Sequence, residues 1–188
     1  AFLSPFIAEE FVPAAVALME PKATFDPMAP ATTAIKNGDV YQLNGVKAMV
    51  PFGADALYLL VIATVDGEPA AFVLPKGTAG VSAEKADHMG LRPLDLYTVT
   101  LENAEVPAAN RLGGEEAFDL SRLVNLARIG LCAMAVGVCQ SVLEYVTEYA
   151  NDRNAFGEPI SHRQAVAFMI ADIAIEVEAM RLATYRAA

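Results

Sequence analysis

The 188-residue sequence has no tryptophan, two cysteines, two histidines, and 13 basic side chains against 23 acidic ones, for a net charge of −10. Each shortage excludes something. With few Lys and Arg on an acidic chain, nothing supplies the clustered cations that displace counterions from a phosphate backbone, so generic nucleic-acid binding is excluded. Two cysteines without clustered histidines make no zinc site, and no metal is expected. Cys132 and Cys139 lie two turns apart on one expected helix, about 10.5 Å along its axis, beyond the roughly 7 Å Cα limit for a disulfide. They read as buried thiols in a reducing, cytoplasmic compartment. Long apolar runs are also scarce: in the second half the longest, Ile129 to Cys139, is 11 residues, so no segment approaches the membrane span of roughly 20. Ala1-Phe2-Leu3-Ser4-Pro5 carries no basic stretch leading into an apolar one, so no secretory signal is expected. No G-x-G-x-x-G, Walker A loop, G-x-S-x-G elbow or H-E-x-x-H occurs.

What is present is apolar bulk. At 55% hydrophobic residues the chain is not disordered and has ample material for a core. Through about residue 114 its punctuation predicts antiparallel β structure. Val40–Leu43, Asn44-Gly45 and Val46–Val50 read as a hairpin around a turn pair that tolerates positive φ. Leu57–Val65, Asp66-Gly67 and Ala70–Leu74 read as a second, more apolar one. Tyr97–Glu102 alternates cleanly in a strand that stops at Val106-Pro107, where a ladder donor is lost. Strands separated by turns and not by helices predict a barrel or sandwich rather than a parallel α/β sheet.

After Gly113-Gly114 the pattern changes. From Asp119 to Ala150 there is no Pro, and Leu123, Leu126, Ile129, Ala133, Val136, Leu143 and Val146 recur at helical spacing. This predicts a helix of about 45 Å, mostly buried. Arg153 to Pro159 breaks it, and Ser161-His162-Arg163-Gln164 has the form of a capping box for a second helix carrying Phe168, Met169, Ile173, Val177 and Met180. The class is therefore α+β: an antiparallel β-barrel or sandwich domain (1–114), then long antiparallel helices (115–188). Every Lys lies at or before Lys85, and all six basic residues beyond Arg111 are Arg, whose planar permanent charge suits pyrophosphate or carboxylate.

On local grounds few residues stand out. His88 and His162 have no motif around them and read as surface or structural. Asp119 reads as the N-cap of the long helix with Arg122 as its i,i+3 partner, and Gln164 as a cap. Arg153 and Phe156, pinned at a helix break beside Gly157 and Pro159, either project a cation and a ring together or staple the loop to the helices.

Taken together, Asp39–Lys47 (DVYQLNGVK), Asp87–Arg92 (DHMGLR), Leu101–Gly113 (LENAEVPAANRLG) and above all Arg153–Gln164 (RNAFGEPISHRQ) carry a resemblance to a known family. In order and spacing the chain resembles the acyl-CoA dehydrogenases over nearly its whole length. The resemblance implies a middle β-barrel domain and the first two helices of a C-terminal four-helix domain. It also implies the activity: a Glu removes the α proton of an acyl-CoA thioester, and the β hydrogen passes as hydride to a non-covalent FAD, giving the trans-2-enoyl-CoA of fatty-acid β-oxidation. Implied partners are acyl-CoA, an electron-transfer flavoprotein as acceptor, and further subunits in a homotetramer, dimer of dimers or heteromer.

By the same resemblance Arg153 and Phe156 reach the flavin pyrophosphate region of a neighbouring subunit, and Gln164 the adenosine end. Leu18, Met19, Met49, Val50 and Pro51 fall on the flavin-facing loops. Phe25, Asp119, Ser121 and Arg122 fall on the acyl-CoA site. The flavin loops depart from the family pattern. Where V-T-E-P-G-A-G-S-D is usual, the chain reads Leu18-Met19-Glu20-Pro21-Lys22-Ala23-Thr24-Phe25-Asp26, and where W-I-T-N-G is usual it reads Met49-Val50-Pro51-Phe52-Gly53. Pro51 offers neither a hydroxyl nor an N–H. Some members carry the base at the position of Ser121, which cannot abstract an α proton unaided. The resemblance therefore puts the Glu base beyond Ala188, and no catalytic residue is assigned within the chain. Two other readings stand beside this one: a non-catalytic structural subunit with a degenerate flavin site, and a simple binding module.

Overall fold

A computed structural model describes residues 2–7, 10–91, 93–114 and 118–188. Arg92, which closes the DHMGLR match, and Glu115, the first residue of the expected helical domain, lie outside them. The chain separates into two compact units, Ala1–Leu120 and Ser121–Ala188.

The first unit is a seven-stranded mixed sheet curled into a half-barrel. Its strands are β1 (Ala14–Ala17), β2 (Thr33–Asn37), β3 (Val40–Pro51), β4 (Tyr58–Val65), β5 (Glu68–Pro75), β6 (Val81–Lys85) and β7 (Leu96–Pro107). They pair in the order β1-β4-β2-β3-β7-β6, with β5 on the other edge of β4. The expected Asp66-Gly67 hairpin is present: φ is 50° and 90° at the two residues, and β4 and β5 pair from Tyr58↔Pro75 to Val65↔Glu68. Two expectations are corrected. The sheet is not wholly antiparallel, because β1 runs parallel to β4, and β2 meets β4 in parallel at Thr33↔Thr64.

Asn44-Gly45 is not a turn either. The chain reverses at Gly38-Asp39, where Asn37 pairs with Val40, and β3 runs unbroken for 12 residues. Gly45 is required for close approach: a Cβ there would stand 2.6 Å from Thr32 Oγ1. Asn44 Oδ1 accepts the Asn103 N–H at 2.8 Å across a bulge in β7.

Two bulges set which side chains enter the core. Pairing jumps from Leu43↔Ala104 to Gly45↔Leu101, which leaves one extra residue on β7, and from Lys47↔Val99 to Val50↔Tyr97, which leaves one on β3. Each extra residue flips the two-residue alternation. The buried positions of β7 therefore run Tyr97, Val99, Leu101 and then Ala104, Val106, and those of β3 include Tyr41, Leu43, Lys47 and then Val50. Phe72, Val61 and Leu74 close the core from β4 and β5.

The second unit contains α1 (Leu120–Asp152), a short hairpin of β8 (Asn154–Ala155) and β9 (Glu158–Pro159), and α2 (Gln164–Ala187). Arg181 Nη2 donates to Gln140 Oε1 at 2.6 Å, tying the two helices together. Here three expectations fail. α1 is not mostly buried in this chain, because Leu131 is 66% and Tyr145 71% exposed; Cys132 is exposed and Cys139 half-buried, both as free thiols. The capping box does not form: a 3₁₀ turn, Ile160–His162, takes up Ser161, and α2 starts after Arg163 with no side-chain cap. Finally, α1 reaches a mean hydropathy of 1.7 over 18 residues, so by length and composition alone it is apolar enough to cross a membrane. Counting unbroken runs missed this, since single polar residues such as Asn125 and Arg128 interrupt the run without lowering the mean much.

Candidate functional site

Just past β1 the chain stays against β3. The Met19 carbonyl accepts the Ala48 N–H at 2.8 Å, so Leu18 and Met19 lie beside Lys47–Met49. Underneath, Lys47 is wholly buried and its Nζ donates to Glu20 Oε1 at 2.8 Å and to the Leu18 carbonyl at 3.3 Å. Glu20 also accepts the N–H groups of Ala31 and Thr32 and the Thr32 hydroxyl, the last at 2.6 Å. Burial pushes the Glu20 carboxyl up, but the bonds from Lys47, Thr32 and Ala31 together hold it at about 2. Burial moves Lys47 the other way from its usual value, down, more than Glu20 restores it. The pair fixes the end of β1 and the 21–31 excursion, which carries Phe25, to the middle of β3.

The β3 bulge falls at the next residues. Met49 sits at φ 55°, a left-handed conformation uncommon for a long side chain. Met19 and Met49 are each about half-exposed, while Val50 is only 1% exposed and presents main chain alone. Pro51 ends the strand opposite Leu96. Phe52 is again left-handed at φ 52°, and Gly53 is needed because a Cβ would stand 2.6 Å from Tyr97 Cβ. The expected flavin-loop residues Leu18, Met19, Met49, Val50 and Pro51 thus share one stretch of the sheet. An apolar cavity of about 580 Å³, lined by Phe2, Phe6, Val16, Tyr58, Leu60 and Leu112 among others, includes none of them.

The other candidates lie in or beside the helical unit. Asp119 immediately precedes Leu120, the first residue of α1, and Ser121 and Arg122 are exposed in its first turn. After α1, Arg153 donates its N–H to Tyr149 O and accepts from Ile160 N–H at its carbonyl, both at 2.9 Å. That closes a two-strand hairpin whose turn, Phe156-Gly157, has positive φ at both positions (58° and 89°). Phe156 projects from the tip, 95% exposed. The Arg163 guanidinium lies over its ring, 4.9 Å from the centroid, and donates to Ala155 O at 3.2 Å. Arg153 and Gln164 are exposed at the two ends of this segment.

Residues 15–104 match the acyl-CoA dehydrogenase middle domain and residues 119–188 the acyl-CoA dehydrogenase C-terminal domain. The chain belongs to the acyl-CoA dehydrogenase family. It is 37% identical over its whole length to cyclohex-1-ene-1-carbonyl-CoA dehydrogenase of Geobacter metallireducens, covering 51% of that protein. It is 36% identical to the caffeyl-CoA reductase-Etf complex subunit CarC of Acetobacterium woodii, over 93% of this chain and 48% of the relative. Among solved structures, butyryl-CoA dehydrogenase from Megasphaera elsdenii superposes with a TM-score of 0.83 at 33% identity, over 92% of this chain and 48% of the other. The chain spans about half the length of these relatives.

Neither Lys47, Glu20 and Thr32 nor Arg163 is marked as a site residue by the sequence. Lys47 carried a usable signal: it falls on the same strand parity as Tyr41 and Leu43, where a charge is out of place. Arg163 carried none, because its contact with Phe156 depends on the hairpin folding back.

Proposed function

We propose that this acyl-CoA dehydrogenase chain is the β domain (1–114) and the first half of the C-terminal helical domain (115–188) of an FAD-dependent enzyme of lipid β-oxidation. The reaction is oxidation of an acyl-CoA thioester to the trans-2-enoyl-CoA. The observation that carries this reading is the hairpin of residues 153–159: a projecting aromatic ring on the same hairpin as an arginine whose guanidinium no hydrogen bond or ion pair engages among the described residues. Bound FAD supplies a two-electron acceptor. The chain's own part is to hold it. Leu18, Met19 and Met49, with the main chain of Val50 and Pro51, present an apolar wall to a flat ring. Arg153 meets the pyrophosphate of a flavin held by a second copy, Phe156 packs beside it, and Gln164 contacts the adenosine end.

The donor set fits FAD in two respects. A permanently charged Arg153, exposed and without a side-chain partner among the described residues, suits a pyrophosphate, and half-exposed thioethers suit an aromatic face. Hydrogen bonds to the ring's polar edge must come from main chain, since Met19 and Pro51 provide none from their side chains. Phe25, Asp119, Ser121 and Arg122 line the acyl-CoA path, and the α-proton base is a Glu outside this chain. An electron-transfer flavoprotein takes the electrons, a role supported by the Etf complex of the CarC relative. The assembly is a homotetramer or dimer of dimers.

The substitutions at Met19, Phe25 and Pro51 favour a second reading, a non-catalytic subunit of a heteromeric dehydrogenase that shapes its partner's site through Arg153. The visible spectrum of the full-length protein separates the two. The first reading expects a flavin band that bleaches on adding acyl-CoA; a colourless protein that takes up no FAD leaves the second. Within the first, Arg153→Ala loses flavin while its apoprotein keeps the fold and unfolding midpoint of the wild-type apoprotein.

A further inference from the structure

The arginines that bracket the hairpin are in opposite situations. No hydrogen bond or ion pair engages the Arg153 guanidinium among the described residues, whereas Arg163 is half-buried with both of its faces of chemistry in use: the plane over Phe156 and Nη2 on Ala155 O. Phe156 needs that support. A bulky residue at φ 58° is disfavoured, and a phenyl ring 95% in water gains nothing from burial to offset the strain. A guanidinium stacked on the ring and bonded to the preceding carbonyl holds the Phe156 ring and the main chain that leads into the turn.

We propose that Arg163 is a positioning residue: it holds Phe156 in its left-handed, outward conformation, and so presets the tip that, with Arg153, meets an anionic, aromatic ligand. Arg153 binds; Arg163 preorganises. The ligand part of this claim rests on the reading given under Proposed function, and the positioning part does not.

The test uses the full-length protein, with amide hydrogen exchange across the hairpin and FAD retention measured against salt. Arg163→Ala is expected to speed exchange at Glu158 and Ile160, whose amides close the hairpin, by about tenfold, the loss of one exposed stack and one hydrogen bond. It should weaken FAD retention while leaving the salt dependence parallel to wild type, because the residue does not touch the anion. Arg153→Ala should leave exchange unchanged and flatten the salt dependence. Arg163→Lys, which keeps a cation without the planar fork, should fall between wild type and Arg163→Ala, and it carries the test if the alanine variant does not fold. Unchanged exchange in both Arg163 variants, or a flattened salt dependence in either, overturns the proposal. If exchange responds as expected while neither Arg153→Ala nor Phe156→Ala alters FAD retention, the positioning role stands and the flavin reading of the hairpin falls.

Discussion

The two units solve the problem of burying apolar surface in different ways. In the β unit, a continuous buried cluster joins residues from Ala15 to Val106 against the curled half-barrel sheet. In the helical unit, Val136 and Val177 are buried but Leu131, Val138, Tyr145, Ile175 and Tyr185 stand more than half exposed. The helical unit is if anything the more apolar of the two by sequence. The difference teaches that the β unit buries its apolar surface within itself, whereas the helical unit leaves an apolar face that this chain does not cover.

The largest effect should come from breaking the buried pair that organises the closed unit. Lys47→Met strands the Glu20 carboxylate without its cation and is expected to cost about 3–5 kcal/mol, read as the denaturant midpoint of the full-length protein. Adding Glu20→Gln should recover more than half of that loss; an equal loss in both variants would mean that packing around Lys47, and not charge, holds the site.

Glycines sharpen the contrast between the units. Gly45→Ala should destabilise by about 1–3 kcal/mol, because its Cβ would meet Thr32. Gly137→Ala in α1 meets nothing within 4 Å in this chain. It should stabilise an isolated helical unit by roughly 0.5–1 kcal/mol. In the full-length protein the sign should reverse if another helix packs there.

Acid gives a comparable effect confined to the β unit. The folded Glu20 carboxyl is held near 2, below its usual 4.5. Its contribution is therefore complete above about 4.5 and is lost as pH falls through about 2. On the order of 2–3 kcal/mol should disappear over that window. Glu20→Gln should flatten the acid limb of the stability curve, and an unchanged limb would assign the acid sensitivity elsewhere.

How much of this was legible in the sequence depended on how local its cause was. The β4–β5 hairpin was readable because Asp66-Gly67 acts through its own φ values. Asn44-Gly45 carries an equally good turn signature, but its meaning is set by Thr32 and Asn103, distant in sequence, so it continues β3 opposite a bulge in β7. The extent of α1 followed from its periodicity. Its exposure did not, since an apolar stripe reports that a face wants covering and not what covers it. The site divided in the same way: Arg153 and Phe156 were marked by a motif, while Arg163 emerges only when the hairpin folds.

Amide exchange on the 188-residue chain alone, compared with the full-length protein, tests the contrast most directly. The account predicts that β7 amides are protected to a similar degree in both, and that mid-α1 amides around Leu131 to Val142 are protected only in the full-length protein. Equal, strong protection of α1 in the short chain would contradict it.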